Sequence, residues 1–100
     1  MKFVALFFAA AFLCNSIPHL VAGLQGAAFP TPFATPRGVG NSPPLVNFLW
    51  GVFNACVGIA LLVHSPLVIG WNLETLAFLA GVLVPGAYLA RHFARVRRGA

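Results

Sequence analysis

Four polar side chains stand isolated in long apolar stretches: Asn15 and His19 in one, Asn47 and Asn54 in another. Asn15 and His19 are four residues apart and Asn47 and Asn54 seven apart. Each pair therefore falls on one face of a helix. Amides and imidazoles in such surroundings have two uses. They hydrogen-bond from helix to helix, contributing about 0.6–2 kcal/mol each, or they line a polar seam that binds a small solute or relays protons. Amides are weaker evidence for the second use than buried acids would be.

The remaining chemistry-bearing residues are few. Glu74 is the only acid, and with His64 it falls at the opposite end of the expected bundle. Glu74 suits the first turn of a helix, where the dipole favours an anion, and a titrating His64–Glu74 pair would be pH-sensitive. Cys14 and Cys56 lie inside apolar runs with no metal-ligand spacing, so they read as small packing residues. Pro18 and Pro85 interrupt two of the runs and should free the carbonyls of Cys14 and Gly81. Ser16 or a water could fill such a kink, or the break could coordinate an ion or solute as in transporters; no inverted repeat accompanies it.

Much chemistry is excluded. A single acid gives no carboxylate pair, and there is no nucleophile elbow or glycine-rich phosphate loop. His19 and His64 should differ in depth by about 23 Å on the helical rise, too far to hold one haem. His92 falls in a basic tail at the aqueous edge. No catalytic residue, metal or cofactor is expected.

Composition shows what must position these side chains. Of 100 residues, 60% are apolar and 7% charged, against about 25% charged in a soluble domain. Three apolar runs, about residues 3–24, 45–63 and 73–90, approach the roughly 20 residues that cross a bilayer core. In hydrocarbon each run must satisfy its own backbone, so each should be a helix. The predicted fold is an all-α membrane protein: one domain, residues 1–100, built as a bundle of three transmembrane helices. A Pro/Gly-rich first loop, residues 25–44, joins the first two spans, and a basic tail, residues 91–100, follows the third. The loop holds Pro30, Pro32, Pro36, Pro43 and Pro44, which exclude a helix or a central strand. Phe29 and Phe33 should dip inward from the headgroup level. Ser42 should cap the second helix ahead of Pro44, the residue before Pro66 should end it, and Asn72 should cap the third.

Charge orients the bundle. The net charge is +5, with Arg91, Arg95, Arg97 and Arg98 bunched at the C-terminus. One short tail sets the basicity, so nucleic acid is not the expected partner. The N-terminus also reads as a signal peptide, but cleavage there would place the arginine tail outside, against the positive-inside rule. Retaining all three spans puts Arg37 and the tail in the cytoplasm and Lys2 outside. Cys14, Asn15, Asn54 and Cys56 then fall near the midplane, and His19 and Asn47 about 8 Å and 10 Å toward the cytoplasm on the helical rise. Antiparallel spans thus match Asn15 with Asn54 and His19 with Asn47.

Small residues mark the expected packing faces: Gly51, Ala55 and Gly58 in the second span, and Ala77, Gly81, Gly86 and Ala90 in the third. Arg91, Arg95 and Arg98 follow i, i+4, i+7 spacing, so a continuing helix would present them together to anionic lipid headgroups.

The segments Asn15-Ser16-Ile17-Pro18-His19, Phe29-Pro30-Thr31-Pro32-Phe33-Ala34 and Asn47-Phe48-Leu49-Trp50-Gly51-Val52-Phe53-Asn54 resemble small bacterial integral-membrane proteins of unassigned function. The resemblance covers about the first half of the chain and implies no activity. The expected function is non-enzymatic: a multi-pass protein of the plasma membrane that forms a homo-oligomer or joins a membrane protein partner, with lipid as its other partner. The alternative is a small transporter or solute-binding subunit using the Asn/His seam.

Overall fold

The computed structural model describes residues 1–99, and each apolar run in it is one helix. The first, α1 (Lys2–Leu24), starts with the Met1 carbonyl accepting from the Ala5 amide. Gly26, at φ +71°, ends it. The Gly26 amide turns back to Gly23 O and the Ala27 amide to Ala22 O, the paired bonds that a left-handed residue after a helix allows. The second, α2 (Pro44–His64), begins with proline at its first position and Pro43 as its cap residue. The third, α3 (Leu73–Gly99), starts at Asn72, whose Oδ1 accepts from the Thr75 amide at 2.8 Å.

All three helices are long and apolar enough to cross a membrane, by length and composition. α3 has 27 residues, about 40 Å at the helical rise and longer than a hydrocarbon core of about 30 Å. It does not stop near residue 90. The arginine segment continues the same helix through Arg98, while Ala100 lies outside the described residues.

α1 is the hub. α2 and α3 both pack along it and scarcely touch each other. The buried apolar core, Leu6, Ala9, Ala10 and Ala22, belongs entirely to α1. Glycines set the approach. A Cβ on Gly58 would meet Leu13 and the Ala9 carbonyl, one on Gly51 would meet Leu20, and one on Gly81 would overlap the Phe7 carbonyl. Gly86 faces Cys14 Sγ. Gly23 of α1, not expected as a packing residue, lies against the Phe48 backbone. Ala55 and Ala77 are partly covered, but Ala90 is exposed and packs on no helix. The covered row of α3 runs Gly81, Pro85, Leu89, His92, Val96, and Ala90 is one residue out of step with it.

The first loop is a built structure. Phe29–Pro30 (β1) pairs antiparallel with Asn41–Ser42 (β2), Phe29 opposite Ser42 and Pro30 opposite Asn41. With two short strands every strand is an edge, where proline is tolerated. The Ser42 hydroxyl, expected to cap α2, instead meets Thr31 Oγ1 at 2.6 Å, and α2 has no side-chain cap. The two loop rings part company. Phe29 packs between His19 and Phe93, whereas Phe33 is exposed and meets Trp50 edge-on.

Candidate functional site

Asn47 is the most connected polar side chain of the bundle. It is fully buried on α2. Its Nδ2 lies 3.0 Å from Phe29 O, 3.1 Å from Ser42 O and 3.3 Å from Pro43 O. Three carbonyls around one nitrogen fix the amide's orientation, since only –NH2 can donate to them. Asn47 Oδ1 is therefore an acceptor, and His19 Nδ1 donates to it at 2.8 Å. In the neutral imidazole the proton is then on Nδ1 and Nε2 is the acceptor.

The midplane pair forms too. Asn15 Nδ2 donates to Asn54 Oδ1 at 3.1 Å, and Asn54 Nδ2 donates back to Trp50 O at 2.8 Å. All four expected seam residues thus join α1 to α2, in the pairing that depth matching predicts. Ser16 does not fill the break at Pro18: its hydroxyl donates to Leu13 O at 2.6 Å, one residue before the carbonyl that the proline frees.

At the other end Glu74 stands in the first turn of α3, where the helix dipole favours it, and does not form the expected pair with His64. Glu74 takes Lys2 Nζ at 3.0 Å, while the His64 side chain is exposed and makes no hydrogen bond among the described residues. The start of α1 lies beside the start of α3 and supplies a permanent cation, which satisfies the carboxylate. Cys14 and Cys56 are free thiols. Arg91, Arg95 and Arg98 are exposed.

His92 corrects a further expectation. It is half-buried, with Nε2 donating to Gly38 O at 2.8 Å and its ring between Tyr88 and Phe93. This bond ties the far end of α3 to the first loop. Beneath it lies a cavity of about 290 Å³ whose wall includes Asn15, His19, Arg37, Trp50, Tyr88 and His92. The Nε1–H of Trp50 is buried and has no acceptor among the described residues. A second hollow of about 220 Å³ shares Asn15, Tyr88 and Leu89 with it and continues along the cleft where α2 and α3 diverge over α1, past Phe8, Phe12 and Pro85. The sequence assigns no site role to Trp50, Tyr88 or His92. The four-residue spacing of Tyr88 and His92 was the available signal, obscured by the arginines around it.

No protein-family profile, curated protein or solved structure matches this chain.

Proposed function

We propose that this protein is a non-enzymatic, multi-pass membrane protein that self-associates or serves as a subunit of a membrane complex. The observation that carries this reading is the imbalance of burial on α3. Of its 27 residues only Gly81 is buried. α2 is also open on the side away from α1, with Leu45, Leu49, Phe53 and Ile59 exposed. One helix holds two others that barely meet, so further helices, from a second copy or another protein, are the natural complement. The seam supports the same reading, because Asn15, His19, Asn47 and Asn54 are engaged with one another and with backbone carbonyls.

The proposed orientation places the N-terminus outside and the C-terminus in the cytoplasm, in a bacterial inner membrane. Its support is charge. Arg37 and the arginines of α3 belong to the end that the His92–Gly38 bond defines, whereas Lys2 and Glu74 neutralise each other at the opposite end. An excess of arginine marks the cytoplasmic side. Retention of α1 is part of the proposal, since without it the bundle loses its whole buried apolar core.

Native mass measurement after extraction in a mild detergent tests the assembly reading. A discrete oligomer, or stoichiometric co-purification with one membrane protein, is expected. A monodisperse lone monomer that persists as detergent is lowered toward its micellar limit overturns it.

A further inference from the structure

The seam between α1 and α2 leaves two acceptors over. With its Nδ1–H given to Asn47, the neutral His19 ring has a lone pair on Nε2, and Nε2 has no hydrogen-bond partner among the described residues. His19 is only 2% exposed. Yet among the described residues that are not exposed, Trp50 Nε1 is the one side-chain nitrogen or oxygen both sealed and unpartnered. His19 Nε2 therefore keeps a small opening, and the ring lines the cavity of about 290 Å³ under the first loop. Asn15 repeats the arrangement one turn earlier. Its Nδ2 donates to Asn54, which leaves Oδ1 as an acceptor on the same wall. Two acceptors at a buried wall are answered by a ligand that donates.

The rest of the wall narrows the donor. Arg37 belongs to it, and a cation there opposes an ammonium group. Trp50, Tyr88, His92 and Phe93 make it aromatic, which suits a flat ring. The adjoining hollow of about 220 Å³ shares Asn15, Tyr88 and Leu89 with the cavity and continues past Phe8, Phe12 and Pro85. Its apolar sides suit a hydrocarbon tail.

We propose that cavity and hollow together bind one neutral phenol-headed amphiphile, the chemical class to which membrane quinols belong. Its ring hydroxyl donates to His19 Nε2, and its tail lies in the cleft between α2 and α3. A phenol, about as acidic as a tyrosine side chain, donates more strongly than an aliphatic alcohol. Unlike an anion, it sets no negative charge against the two acceptors. The placement also follows the helices: the head lies at the loop end, beside Arg37 and Gly38, and the tail runs toward the middle of α1. The site lies within one chain, so it does not depend on whether the protein self-associates.

Isotope-labelled histidine reports on the acceptor directly. The full-length protein, in phosphatidylcholine nanodiscs, is titrated with para-octylphenol while the His19 Nε2 nitrogen resonance is followed. Accepting the phenol hydrogen bond should move that signal upfield. Para-octylanisole, the methyl ether, keeps the ring and tail but has no O–H. Compared at equal mole fraction in the bilayer, the ether should bind about tenfold more weakly, read as its power to displace the phenol, as expected when a buried acceptor is denied its donor. Octanol, with a hydroxyl but no ring, should also displace the phenol poorly. Leu89→Trp, which fills the wall common to cavity and hollow, should abolish the shift while the His19 Nδ1–H signal keeps its parent position, the mark of an intact bond to Asn47. An Nε2 signal that the phenol leaves unmoved overturns the proposal, and so does an ether that competes as well as the phenol binds. Octanol matching the phenol would show a site for any hydroxyl and overturn the aromatic assignment. A shift that survives Leu89→Trp overturns the placement of the tail.

Discussion

His19 on α1 gives its Nδ1–H to Asn47 Oδ1 on α2 across 2.8 Å, and the same Asn47 amide holds the carbonyls of Phe29 and Ser42. One side chain thus joins two helices to both strands of the first loop. Asn54 makes half as many connections, to Asn15 and to the carbonyl one turn before it.

This difference has a measurable consequence. Asn47→Ala leaves the His19 Nδ1–H without its partner and takes from the Phe29 and Ser42 carbonyls the second donor that each has beside its strand partner. At about 1–3 kcal/mol for each buried group left unpaired, less where water enters from the loop, the loss should be about 3 kcal/mol. Asn54→Ala gives up an interhelical amide bond of the kind that contributes about 0.6–2 kcal/mol in spans. Reversible unfolding in mixed micelles, titrated with a denaturing detergent, compares the two. Equal losses would mean that Asn47 does not organise the loop.

The glycines make a second comparison. At Gly81 a Cβ would run into the Phe7 backbone carbonyl, which cannot rotate away. At Gly86 the nearest atom is Cys14 Sγ, 3.3 Å from an added Cβ and free to turn about χ1. Gly81→Ala should therefore lift α3 from α1 and cost about 1–3 kcal/mol, as overpacking does, while Gly86→Ala should stay within about 0.5 kcal/mol. The same micellar titration reads both. A neutral Gly81→Ala would show that α3 is not seated on α1 through this glycine.

How much of this was legible depended on the range of each interaction. Helices follow from apolar run length, because hydrocarbon leaves the backbone no alternative. Depth then pairs Asn15 with Asn54 and His19 with Asn47, since antiparallel helices of constant rise convert residue number into position. Two features resisted this logic. Prolines in the first loop say what it cannot be, but its strand pair rests on Thr31–Ser42 and on the Asn47 amide, contacts that no periodicity marks. The place of Glu74 in the first turn of α3 is legible, but its ion pair is not, for a related reason. His64 is nearer in sequence, yet Lys2 is nearer in space once α3 packs against α1. Ala90 failed by one residue, because small-residue spacing does not state which side of a helix faces inward.

The bond from His92 to Gly38 O separates two roles for the arginine-rich end of α3. If that end were only an orientation signal, His92 could change without effect on the loop. The geometry requires otherwise, since Nε2 donates to a carbonyl in the turn whose Gly38 amide binds Thr31 O at 2.9 Å. His92→Ala should release this turn, and the Gly38 and Gly40 amides should exchange with deuterium roughly tenfold faster, as expected for about 1.4 kcal/mol of lost local stability. His92→Gln, which keeps a donor of similar reach, should recover part of the protection. The Ala5 and Leu6 amides at the far end of α1 should be unaffected in either variant. If Gly38 and Gly40 exchange at the parent rate in His92→Ala, the loop stands without α3, and its order rests on Asn47 and the Thr31–Ser42 pair.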